Sequence, residues 1–219
     1  MKKLIIVLLS ASLMQVAFSQ SGTNEESAKR FENRKTKGNY SIAQIGMLMG
    51  HLKLTEQPYN NNYPRSIQVV PSVTMTKGVM FNEKWAAGLG FGFEIFEYNM
   101  IPLFFDFRHT RRDNDVSPFF ALKIGYSLGS RKKHYDNLYL SHPPYSISDA
   151  YFKNHGGFLC HPEIGVKIPY SDNADVQFTI AYRYQKMKTT VSQETGQRPK
   201  WDYETSMNRI SFGMAIMFR

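Results

Sequence analysis

The strongest constraint on this chain is a two-residue alternation that repeats in six separate stretches. In 85–96 one face would carry Trp85, Ala87, Leu89, Phe91, Phe93 and Ile95, and the other Ala86, Gly88, Gly90, Gly92 and Glu94. Stretches 101–110, 117–128, 158–168, 176–185 and 210–218 divide in the same way. Each has one uncharged, mostly bulky face and an opposite face of small, polar or charged residues. A period of two belongs to β-strands, whose successive side chains point to opposite sides. Two further stretches, 40–49 and 66–77, alternate less cleanly, so eight strands are expected. Pro71 and Pro162 fall in mid-strand. A residue without an N–H cannot feed the ladder, so a bulge is expected at each.

The second face decides where the strands sit. It holds Glu94, Asp106, Arg108, Lys123, Glu163, Lys167 and Arg183, interleaved with Gly88, Gly90, Gly92, Gly125, Gly165 and Gly213. A solvated sheet face gains nothing from so many glycines, because glycine weakens a strand and packs nothing. A narrow closed barrel with a polar interior needs them wherever large side chains from facing strands must fit. The apolar face would then look outward to lipid, where a charge costs about 2–4 kcal/mol at mid-membrane, and none occurs on the six clean faces. The hydrophobic fraction of 42% and mean hydropathy of -0.40 look like those of a soluble domain. That average is the sum of two unlike faces. Transmembrane helices are excluded, because an apolar run occurs only in the first twenty residues and each helical span needs about 20 such residues.

Met1-Lys2-Lys3 followed by the apolar run 4–9, with Ala17-Phe18-Ser19 before Gln20, reads as a secretory signal peptide over 1–19. Residues 20–38 are polar and charged and form an expected periplasmic leader. The barrel is expected over 39–219. The single cysteine, Cys160, rules out an internal disulfide. Segments 50–65, 129–156 and 186–206 read as long loops, whereas Asn82-Glu83, Asp113-Asn114 and Asp172-Asn173 mark short turns. This alternation places the long loops at one end of an up-and-down meander, outside the cell, with both termini at the periplasmic end.

The segments 101–108, 116–126 and 156–166 resemble those of the small outer-membrane β-barrel domain proteins of Gram-negative bacteria. The architecture is similar to OmpA/OmpX-type barrels, and the resemblance covers about 39–219. It implies an all-β, eight-stranded antiparallel up-and-down transmembrane barrel of porin-like build in the bacterial outer membrane. The family has no shared catalytic motif to carry over, and no peptidoglycan-binding domain is expected after the barrel. Ser211, Gly213, Ile216 and Phe218 in the last strand resemble the signal read by the outer-membrane assembly machinery, with the departure that Arg219 follows the terminal aromatic.

The seven interior charges read most simply as a salt-bridged network filling the lumen, with an ion path as the sharper alternative. Arg131, Lys132, Lys133, His134, Tyr135, Tyr139, Tyr145 and Tyr151 form a basic, tyrosine-rich candidate binding surface. Its blander reading is a variable polar loop. The basic run would also suit lipid phosphates, so outer-membrane lipid and lipopolysaccharide are expected partners, beside the assembly machinery and an unknown loop ligand. Nucleic acid is not expected, since the charge is spread along an exported chain. The spacings of His134, His142, His155 and His161 match no metal-ligand motif, so no metal and no cofactor are expected. Ser141, His142 and Asp149 are nominal members of a hydrolase site in one loop. The sequence therefore favours a structural or surface-recognition barrel without catalysis. A lipid-modifying outer-membrane enzyme comes second, and a soluble periplasmic ligand-binding barrel third.

Overall fold

A computed structural model describes residues 34–51, 67–95, 99–111, 116–129, 132–139, 146–193 and 201–219. The signal peptide and most of the leader lie outside the described residues. Each alternating stretch is a strand: β1 (Gly38–His51), β2 (Ile67–Met80), β3 (Trp85–Glu94), β4 (Met100–Thr110), β5 (Ser117–Gly129), β6 (Lys132–Tyr139), β7 (Ser146–Ser171), β8 (Ala174–Gln193) and β9 (Trp201–Phe218). β1 to β5 pair in sequence, β5 pairs with β7, β7 with β8, β8 with β9, and β9 returns to β1, antiparallel throughout. The ring has eight strands and no free edge, the closed up-and-down barrel that the alternation predicts. β6 stands outside it and pairs with the outer part of β7, from Lys132↔Lys153 to Tyr139↔Ser146.

The two faces divide as the pattern demands. Ile45, Leu89, Phe105, Ile164 and Ile180 point outward, with Phe105 71% exposed. Glu94, Asp106, Lys123, Glu163 and Arg183 point inward and are buried. Large side chains reach the axis because glycines on neighbouring strands leave room. A Cβ on Gly78 would stand 2.8 Å from the Tyr40 ring, and one on Gly90 would stand 2.3 Å from the Phe104 ring.

Three expectations change. No register shift occurs at Pro71 or Pro162. Pro71 pairs with Met47 in an unbroken β1–β2 register, and its carbonyl accepts from Ile95 N at 3.2 Å, just past the end of β3. In an antiparallel strand a residue's N–H and C=O face the same neighbour, so the missing donor lies where β3 has already stopped. At Pro162 the β7–β8 ladder lapses between Cys160↔Tyr184 and Glu163↔Ala181, then resumes in the same register. The shifts fall instead at Asn154/Gly156 and Pro169/Ser171.

The third change concerns the expected long loops 129–156 and 186–206, much of which is strand. β7 runs for 26 residues, β8 for 20 and β9 for 18, although a tilted strand crosses a bilayer in about 9–11. The alternation continues beyond the apolar band with its polarity reversed. On β8 the outward residues change from Phe178, Ile180 and Tyr182 to Lys186 and Lys188, while the inward ones change from Gln177, Thr179 and Arg183 to Met187 and Val191. Above the band the wall is built like a soluble sheet, apolar inside and polar outside.

Candidate functional site

The lumen is layered along its axis. At the end of the short turns, Tyr40, Ile42, Met80, Ala86, Ala215 and Met217 form an apolar cluster. At the opposite end Leu48, Val70, Met100, Met187 and Met207 form another. Buried charges occupy the space between.

All seven lumen residues singled out from the sequence lie in this interior, each at most 4% exposed. Arg108 Nε pairs with Asp106 Oδ2 at 2.7 Å, and Arg108 Nη1 donates to Gln177 Oε1 at 2.7 Å. Lys123 Nζ pairs with Glu163 Oε2 at 2.7 Å and donates to Gln44 Oε1. Gln44 Nε2 donates to Thr179 Oγ1 at 3.2 Å and reaches Glu163 Oε1 at 3.5 Å, tying β1, β5, β7 and β8 together. Arg183 pairs with Glu94, and Arg209 donates to Gln185 Oε1. Two rings close over cations: Phe119 lies 5.5 Å from the Arg108 guanidinium carbon and Phe104 lies 5.6 Å from Lys123 Nζ. Lys167 is buried in the same face.

Gln44, Gln177, Gln185 and Arg209 belong to this assembly although the sequence reading did not single them out. Their signal was position: each falls on the inward parity of its strand. Arg219, which departed from the terminal aromatic pattern, also has a place. It pairs with Asp175 at 2.8 Å, donates to Lys35 O at 2.9 Å, and its backbone N donates to Asn173 O at 2.9 Å. It therefore fastens the β8–β9 end of the barrel.

The residues of the last-strand assembly signal divide by face. Ser211 is buried and Gly213 shares its inward parity, whereas Ile216 and Phe218 point outward.

The candidate binding surface is only partly described. Lys132, Lys133, His134, Tyr135 and Tyr139 fall on β6, and Tyr151 sits half-buried on β7. Arg131 and Tyr145 lie outside the described residues, as do Ser141 and His142 of the nominal hydrolase set, while Asp149 falls on β7. Among the described residues no cluster of three metal-ligating side chains occurs.

The outer wall above the apolar band carries its own polar lattice. Lys186 Nζ pairs with Glu204 Oε2 at 2.6 Å and Lys188 Nζ with Asp202 Oδ2 at 2.8 Å, diagonally across β8 and β9. Thr190 Oγ1 donates to Asp202 Oδ1 at 2.7 Å, and His155 Nε2 lies 3.0 Å from the same hydroxyl. Hydrogen bonding to the opposite charge holds both carboxyls below, and both ammonium groups above, their ordinary pKa ranges.

No protein-family model matches the chain, and no curated protein matches it. Among solved structures the fold is similar to the outer membrane protein OprG from Pseudomonas aeruginosa, with a TM-score of 0.51 and 12% identity over 85% of this chain and 99% of that one. It is similar also to Neisserial surface protein A, with a TM-score of 0.51 and 10% identity over 84% of this chain and 99% of that one. Identities this low speak to fold alone. A closed antiparallel ring of eight strands, apolar outside and charged within, thus has the fold of the small outer-membrane β-barrels.

Proposed function

We propose that this chain is a small bacterial outer-membrane barrel with a plugged polar lumen, acting as a structural or surface-recognition element through what it displays above the lipid. The observation that carries this reading is the middle of the lumen, where Arg108–Asp106, Lys123–Glu163 and Arg183–Glu94 lie between two apolar clusters. An eight-stranded ring is only about wide enough for its own side chains, and here they pair within β4, between the neighbours β5 and β7, and across the bore through Arg183–Glu94 and Arg108–Gln177. The lumen cavity beside Lys123 is about 20 Å³, near the size of one water. An interior filled in this way leaves little room for a hydrated ion.

The outward band supports the membrane placement. Its exposed aliphatic and aromatic residues run round every strand of the ring, and a contiguous apolar surface of that extent is not tolerated in water. That weighs against the soluble periplasmic barrel. Lipid and lipopolysaccharide would surround the band, the assembly machinery would read β9, and recognition would fall to the raised wall of β6 to β9.

Planar-bilayer recording on the reconstituted protein tests the plug. No stable conductance steps are expected, and sustained ohmic steps would overturn it. The lipid-modifying alternative is separated by comparing lipid A and phospholipid masses with and without the protein. Identical profiles are expected, and a mass shift lost in His142→Ala would reverse the ordering.

A further inference from the structure

We propose that the lumen holds one small monovalent anion of halide size, bound between Lys123, His161 and Arg183. The cavity of about 20 Å³ in mid-lumen is lined by these three residues together with Gln44, Ser72 and Thr74, and no carboxylate belongs to its lining. Two of the lining side chains carry an unmet polar atom. His161 is 7% exposed and Arg183 2%, yet His161 Nε2 and Arg183 Nε have no hydrogen-bond partner. Native interiors leave few such atoms, because an unsatisfied buried donor keeps its full desolvation cost.

The chemistry of these atoms selects the occupant. A guanidinium Nε–H only donates, an ammonium only donates, and an imidazole donates from Nε2 when the proton sits there. Glu94 engages Arg183 at Nη1 and Glu163 engages Lys123. Each carboxylate thus engages part of its cation, and both cations line the cavity. The Ser72 and Thr74 hydroxyls can turn to donate as well. A water placed here would accept only two of these bonds and would have to place two hydrogens of its own, one of them in competition with Lys123 for Gln44 Oε1. A halide accepts from every side, needs no acceptor, and balances a layer in which three buried cations, Lys123, Arg183 and Arg209, face two carboxylates, Glu94 and Glu163. The inference rests on the closed-lumen reading, but conductance reports the plug and scattering reports the anion, so either can fail alone.

The test uses the intact, detergent-folded protein and sodium bromide as the probe. Crystals grown in bromide are expected to show one anomalous peak within hydrogen-bond reach of Arg183 Nε and His161 Nε2. In parallel, chloride is expected to raise the unfolding temperature in a saturable way over sodium sulfate at matched ionic strength, because the bulkier sulfate exceeds the cavity. His161→Leu should abolish the chloride-specific part of that rise while the protein still folds, and His161→Gln, which keeps a donor, should retain some of it. A water or empty density at the site in bromide overturns the proposal. So does a chloride response in His161→Leu equal to the wild type, which would mark an adventitious ion only. If His161→Leu does not fold, the bromide peak in the wild type decides alone.

Discussion

At the scale of single residues, the barrel's interior is a set of paired charges whose removal one at a time should be costly. Glu163 accepts from both Lys123 and Gln44 in a fully buried setting. Glu163→Ala leaves Lys123 charged and unpaired, and is expected to destabilise the detergent-folded protein by about 3–5 kcal/mol. Removing the lysine as well, in Glu163→Ala/Lys123→Met, should recover part of that loss. Chemical unfolding of the three variants checks both statements, and an unchanged midpoint in the single variant would mean that the face points elsewhere. The glycines make a second comparison. Gly156 has φ +80 at the β7 bulge, and a Cβ there would stand 1.6 Å from Ser127 O, whereas Gly38 has φ +121 with nothing within 4 Å. Both replacements by alanine incur backbone strain of about 1–3 kcal/mol, but only Gly156→Ala adds a clash with backbone, so it should lower the unfolding midpoint further. The charged residues were legible because charge on one parity of an apolar strand stands out. Gln44 was not, since a neutral amide on the less clean β1 carries no such contrast. Arg219 was seen only as an exception to a pattern until its bonds to Asp175 and Lys35 gave it a role.

At the scale of the element, the six clean strands were legible as membrane segments because lipid demands one unbroken apolar parity. What the sequence concealed was the continuation of β7, β8 and β9 above the band. There the apolar parity moves from outside to inside, so Lys186-Met187-Lys188 reads as the end of one pattern when it is the same strand in a different solvent. The prolines misled for a related reason. A missing N–H need not make a bulge: β3 ends level with Pro71, and beside Pro162 the β7–β8 ladder lapses and resumes in the same register. The lattice on the raised wall yields a pH prediction. Asp202 and Glu204 are held below the ordinary carboxylate range by Lys188 and Lys186. Their pairing therefore supports β8–β9 fully above about pH 4, the ordinary carboxylate pKa, and is lost as acid protonates them through their lowered values. Amide exchange in 186–190 and 202–206 should accelerate on acidification below that point relative to 176–182, once corrected for intrinsic rates. Equal protection in both regions would contradict the pairing. On the lipid-facing part of the wall the expectation is different in kind: Phe105→Arg should cost about 2–4 kcal/mol in a bilayer, measured by reversible folding into vesicles, and a neutral result would remove Phe105 from lipid.

At the scale of the whole molecule, closure and layering explain each other. A closed ring lets the wall pair its backbone groups within itself, its narrow bore brings charges from facing strands within bonding distance, and an apolar cluster lies on either side of that layer. The fold, its eight-strand closure and its inward charges could be read from alternation alone. The height of the wall could not, because that depends on where the surrounding medium changes. β8 crosses both media, so one strand carries the whole contrast. In a Cys160→Ser background, labels placed singly at Phe178, Ile180, Tyr182, Ala181, Lys186 and Lys188 can be probed with lipid-borne and water-borne quenchers in reconstituted vesicles. Positions 178, 180 and 182 are predicted to be quenched from the lipid, 186 and 188 from water, and 181 from neither. Quenching of 180 from water to the same extent as 188, or of 181 from the lipid, would contradict the inside-out barrel.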